Sequence, residues 1–228
     1  SADIVVGTSN QAPEITALAV MPTDPNTGDN LTVSWTATDP EGDNIVDTML
    51  TWALNGEHVP AADGMNPLPS SFTQRGDAWT VDVQASDGQA WGALATSTVN
   101  IVNAAPVVDA LLASPTFSAL HDVSVAANIT DPDGDQTVVE RADWYRNGEF
   151  EPVSTSETLP STSLSRGEVW HAVVVVSDGT DSTEFTTPAI TVENARPQAV
   201  VTWPENPTSL TDLVATVQTE DADGDAVV

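Results

Sequence analysis

The sequence predicts an all-β chain of tandem, self-contained β-sandwiches. Two observations predict it. Apolar residues alternate with polar ones in short runs rich in threonine, valine and alanine, which is the period of a half-buried strand. The same text also recurs along the 228 residues at intervals of 90 to 93. No stretch sustains apolar spacing of three and four residues, so almost no helix is expected.

The repeat is read from its motifs. Asn10-Gln-Ala-Pro13 recurs as Asn103-Ala-Ala-Pro106 and Asn194-Ala-Arg-Pro197. Asp39-Pro-Glu-Gly-Asp43 recurs as Asp131-Pro-Asp-Gly-Asp135 and Asp221-Ala-Asp-Gly-Asp225. Trp52-Ala-Leu-Asn-Gly56, Arg75-Gly-Asp-Ala-Trp79 and Ser86-Asp-Gly88 return as Trp144-Tyr-Arg-Asn-Gly148, Arg166-Gly-Glu-Val-Trp170 and Ser177-Asp-Gly179. A solenoid unit runs about 20–50 residues and a sandwich about 100, so each copy is long enough to bury its own core. The expected divisions are 10–102, 103–193 and the first strands of a third copy over 194–228. Residues 1–9 align with the last strand of a preceding copy, which suits a piece of a longer array.

Within the first copy, strands are expected near 14–20, 30–38, 46–54, 57–60, 68–73, 78–86 and 95–102, with Gly, Pro, Asn and Asp clusters between them. Seven short strands so spaced suggest a Greek-key sandwich. Asn55-Gly56 and Asn147-Gly148 suit tight hairpin turns that need positive φ. Leu50, Trp52 and Leu54 share one strand face, as do Trp79, Val81, Val83 and Ala85. Both tryptophans are therefore expected inside, in the space that a disulfide fills in antibody domains. Trp35, Trp91 and Trp203 have no counterparts in the other copies. Trp91 is expected buried, although an exposed ring there would suit stacking on a sugar.

The order of these motifs resembles the tandem Ig-like and cadherin-like repeats of large bacterial and archaeal surface proteins. The resemblance covers nearly the whole chain. It implies Ig-like sandwiches without disulfides, an extracellular or cell-surface location, and work as a stalk, fibre, adhesin or spacer. Linker and calcium motifs differ from those of true cadherins, so cadherin-type homophilic binding is not implied.

Charge narrows the partners. Thirty-four acidic residues stand against five arginines and no lysine, for a net charge of −29. Such a surface repels nucleic-acid phosphates and anionic lipid and invites cations. No apolar run near 20 residues is present, so no membrane insertion is expected. The partners expected are neighbouring repeats, copies of the same chain, or a surface glycan. The chain has no cysteine. His58, His121 and His171 do not cluster at ligand spacing, which disfavours zinc, and no catalytic constellation recurs between copies.

The acidic loops carry the chemistry. Asp39, Glu41 and Asp43, then Asp131, Asp133 and Asp135, then Asp221, Asp223 and Asp225 place three carboxylates on alternate residues around a glycine. Three such groups repel one another unless a cation lies among them, and calcium takes six to eight oxygens of this kind. Glycine at the fourth position and the lack of a twelfth-position Glu exclude an EF-hand. In an Ig sandwich the loop holding Asp87 or Asp178 and the linker holding Asn103 or Asn194 come to the same end, so these residues join the expected ligand set. The competing reading is an acidic turn in which Asp and Gly serve turn geometry alone. Arg75-Gly-Asp77 is answered by Arg166-Gly-Glu168 and is read as a turn of shape and solubility, not as a recognition tripeptide.

Overall fold

The computed structural model describes residues 9–152, 154, 156–205, 207–209 and 212–227. The expected strand at 1–9 therefore lies almost wholly outside the described residues. Strands dominate, and the described helical turns are three short 3-10 segments. The chain divides into two compact units, one of residues 1–104 with 132–135 and one of residues 105–131 with 136–228.

In the first unit, β1 (Glu14–Met21) pairs antiparallel with β2 (Thr32–Thr38). A second sheet runs in the order β4 (Glu57–His58), β3 (Asp47–Leu54), β5 (Ala78–Ser86), β6 (Ala95–Asn100). Alternation decides which faces meet. Val20 and Val33 from the first sheet, with Leu31 just before β2, close on Leu50, Trp52, Trp79, Val81 and Val83 from the second. Trp52 and Trp79 are each 1% exposed and meet edge to face at 6.1 Å.

The second unit repeats the plan. β11 (Thr158–Leu159), β8 (Val123–Thr130) and β7 (Val107–Ala113) form one sheet. The other runs β10 (Glu149–Phe150), β9 (Val138–Arg146), β12 (Val169–Ser177), β13 (Ser182–Thr186), with β14 (Ile190–Thr191) also on β12. Trp144 and Trp170 are fully buried between them. In both units the chain changes sheet after its second strand and then pairs β3 with β5, and β9 with β12, past an intervening edge strand, as in the Greek-key arrangement of an Ig-like fold.

The hairpin turns follow the residues. Asn55 and Gly56 sit at φ 52° and 87°, and Asn147 and Gly148 repeat those values. Each asparagine also accepts a backbone N–H from the first residue of the next long strand, Ala78 of β5 or Val169 of β12, at 2.9 Å.

Two expectations are corrected. Residues 68–73 do not form a strand: Leu68 makes a single bridge to Leu31, and Ser70–Phe72 turn as a 3-10 segment. Pro67 and Pro69 flank Leu68 and lack the N–H groups that a longer ladder needs. The Asn66 side chain instead pairs with the backbone N–H and C=O of Val33, both at 2.8 Å. Trp91 is not buried either; it is 45% exposed. It forms one bridge to Ser86 at the start of a loop, and nearly half of its surface faces solvent.

A final hairpin, β15 (Gln198–Thr202) with β16 (Thr216–Glu220), belongs to the second unit. Its register, Gln198 opposite Glu220, matches that of Val107 opposite Thr130 in β7 and β8. Val201, Trp203, Leu213 and Val217 remain exposed, because no second sheet faces them among the described residues.

Candidate functional site: three acidic loops and their linkers

Each acidic loop follows the second strand of its copy, and its three carboxylates have separate roles. The first closes the loop on itself. Asp39 Oδ1 accepts the N–H groups of Glu41 and Asp43 at 2.9 and 3.1 Å, while Gly42 N donates to the Asp39 carbonyl at 3.1 Å. Asp221 repeats this with Asp223 and Asp225 at 2.9 and 3.2 Å and with Gly224 at 3.1 Å. The glycine is required: Gly42, Gly134 and Gly224 have φ between 75° and 83°, where a side chain is strained.

The second carboxylate holds the linker that precedes the sandwich. Gln11 N donates to Glu41 Oε2 at 3.1 Å, Ala104 N to Asp133 Oδ2 at 2.7 Å, and Ala195 N to Asp223 Oδ2. One geometry thus occurs three times. In the first copy the Gln11 side-chain amide adds a bond to Glu41 Oε1 at 2.6 Å, and in the second Thr27 Oγ1 donates to Asp133 Oδ1.

In the second and third copies the third carboxylate receives an arginine. Arg75 donates to both oxygens of Asp135, with Nη2 to Oδ1 at 2.9 Å, and its Nη1 also reaches Asn103 Oδ1 at 2.5 Å. Arg166 makes the same pair of contacts, to Asp225 Oδ2 and Asn194 Oδ1. The Arg-Gly-Asp/Glu turn aims these side chains. Gly76 N donates to Ile101 O and Ile101 N returns to Asp77 O, at 2.9 and 2.8 Å; Gly167, Val192 and Glu168 repeat the pair at 2.8 Å each. The reading of this turn as shape and solubility alone is therefore too narrow.

The first Ser-Asp-Gly loop lies beside the linker. Asp87 Oδ1 accepts N–H bonds from Gln89 and Ala90, both at 2.7 Å, and its Oδ2 accepts the Asn10 amide at 2.9 Å. The Ala90 bond, then those of Asn10 and Gln89, hold the Asp87 carboxyl below its ordinary range. Asp178 repeats the turn with Thr180 and Asp181 at 2.6 and 2.7 Å. Asn10 and Gln11 thus place the linker in contact with both Asp87 and Glu41.

The same carboxylates also set the capacity for a metal ion. Asp131, Asp133 and Asp135 each offer an oxygen within 4.8 Å of the others, which is close enough for one ion to take all three. Asp39 Oδ2 and Asp223 Oδ1 are buried without a hydrogen-bond partner, as unliganded donor atoms would be. The donor set is hard oxygen throughout, as calcium prefers. Against this, Arg75 already brings positive charge to Asp135. The pairing of carboxylate and arginine was missed in the sequence. Its signal was present: two of five arginines in an acidic chain occupy equivalent positions, each 28 residues before a linker asparagine.

No family model matches the chain, and no curated protein matches it. Among solved structures it is similar to a two-domain fibronectin type-III segment from chicken tenascin, at 13% identity and TM-score 0.33, covering 79% of this chain and 99% of that one. It is also similar to a mouse coronavirus receptor-binding domain complexed with its murine receptor, at 12% identity and TM-score 0.24, with the same coverages.

Proposed function

We propose that the chain is a structural or adhesive extracellular repeat array, a stalk, fibre or surface-layer component stiffened by calcium at its acidic loops. The observation that carries this reading is the linker amide bonded to the second carboxylate in all three copies. A loop that grips the segment leading into its own sandwich limits how freely that segment swings. Asp131, Asp133 and Asp135 are the residues that would hold calcium, joined by backbone carbonyls of the turn; Asp39, Glu41 and Asp43 and the Asp221, Asp223 and Asp225 set are the parallel candidates. Bound calcium would supply positive charge that relieves repulsion among these carboxylates. The rest of the reading is mechanical and non-catalytic, since the loop carboxylates bond to backbone N–H groups and guanidinium.

Calorimetric unfolding in about 5 mM calcium against chelator tests the metal, because a ligand that binds only the folded state raises Tm, by about 2.7 kcal/mol of stability at one hundred times its Kd. An unchanged Tm removes calcium from the proposal and leaves the linker contacts standing. A second reading, a carbohydrate-binding module accessory to a secreted hydrolase, is favoured by the exposed Trp91 ring. Glycan-array binding that Trp91→Ala abolishes would establish it.

A further inference from the structure

The third carboxylate and the linker asparagine form a two-point acceptor for guanidinium, and two of the three acceptors are filled. Asn103 with Asp135 holds Arg75, and Asn194 with Asp225 holds Arg166. The equivalent pair in the first copy is Asn10 with Asp43. The Asp43 carboxylate has no hydrogen bond or ion pair among the described residues, and the Asn10 amide nitrogen is spent on Asp87, leaving its carbonyl oxygen without a donor. The rest of the apparatus is in place. Asp39 caps the turn, Glu41 holds the Gln11 amide, and Gly42 takes the left-handed conformation.

We propose that Asn10 and Asp43 form a docking site for the arginine of an Arg-Gly-Asp/Glu turn, carried by a sandwich of the same kind joined in tandem through Asn10. The charge matches, and the residue types are those that hold Arg75 and Arg166 in the other two copies. The site offers a carboxylate and a carbonyl oxygen to a planar fork that donates to both, which a lysine ammonium does less well. A second copy of this chain is the poorer source, because its two arginines on such turns are already engaged with Asp135 and Asp225. An arginine docked there needs no calcium, since it brings positive charge to Asp43 itself.

The test lengthens the full chain by a copy of residues 10–102 placed directly before Asn10, so that its last strand runs into the linker as Ile101-Val102 runs into Asn103. Hydrogen exchange at the Gln11 amide is read in chelator. Four chains are compared: the extended chain, the same with Arg→Gln at the added copy's turn, the same with Asp43→Asn, and the double variant. The expected result is roughly fivefold slower exchange at Gln11 in the extended chain, lost to the same degree in either single variant and no further in the double, as one coupled contact requires. Asp43 is exposed, so its substitution leaves folding intact, and fluorescence of the buried tryptophans checks this. Equal exchange in all four chains overturns the proposal. Protection that needs calcium, or that appears in the unextended chain as its concentration rises, also overturns it, in favour of a metal or of a second copy respectively.

Discussion

At the scale of residues, one methylene separates two otherwise equivalent tryptophans. Trp170 Nε1 donates to Glu168 Oε2 at 3.0 Å, whereas Trp79 Nε1 is buried with no partner. Asp77 occupies the position of Glu168 and is too short to reach. Asp77→Glu should satisfy the indole and stabilise the first sandwich by about 1 kcal/mol in urea unfolding. Gly92 shows the opposite constraint: a Cβ there would lie 1.9 Å from the Pro13 carbonyl oxygen. Gly92→Ala must push the linker away and should cost about 1–3 kcal/mol, the range for overpacking. In the second copy Thr183 stands at that position and donates its hydroxyl to Pro106 O at 2.5 Å, so the two copies seat the same proline by different means. Asp87 gives a pH signature. Its folded carboxyl lies below the ordinary value of 3.8, so the stability it contributes is complete above that pH and disappears as pH falls through the lower folded value. Unfolding of the wild type and of Asp87→Asn should therefore differ near neutrality and converge in strong acid.

At the scale of elements, the Arg-Gly-Asp/Glu turn and the acidic loop act as a pair. The Arg75–Asp135 contact is half exposed, with side chains 40% and 26% accessible, so solvent screens it and a modest value applies. Arg75→Gln should lower stability by about 1 kcal/mol, or roughly 4 °C in Tm, with Asp135→Asn adding little once the arginine is gone. Differential scanning calorimetry of the two single variants and the double variant measures this. The turn was legible as a repeated element, but its partner was not, because Arg75 and Asp135 stand 60 residues apart in sequence. The 68–73 segment failed for a related reason. Its apolar residues suit a strand, but two prolines and the Asn66 side chain replace most of the ladder with other bonds to the neighbouring strand.

At the scale of the molecule, self-repulsion and local pairing compete. A net charge of −29 favours expansion at low ionic strength, and salt screens it over a distance of about 8 Å in physiological conditions. Adding salt should therefore raise the Tm of the wild type. The same salt weakens exposed arginine–carboxylate contacts, so the gap between wild type and Arg75→Gln should narrow across a titration from about 0.01 to 1 M salt.

The sequence alone determined the sandwich class, the hairpin asparagines and glycines, and the inward faces of Trp52, Trp79, Trp144 and Trp170. These depend on alternation along one strand and on turn residues whose backbone demands are local, and the copies confirm one another. Tertiary structure decided how the acidic residues divide their work, with one closing the turn, one holding the linker and one meeting an arginine. It also decided that Trp91 faces solvent. Those outcomes depend on which loops and strands meet across distant stretches of chain, and no pattern of neighbouring residues encodes that meeting.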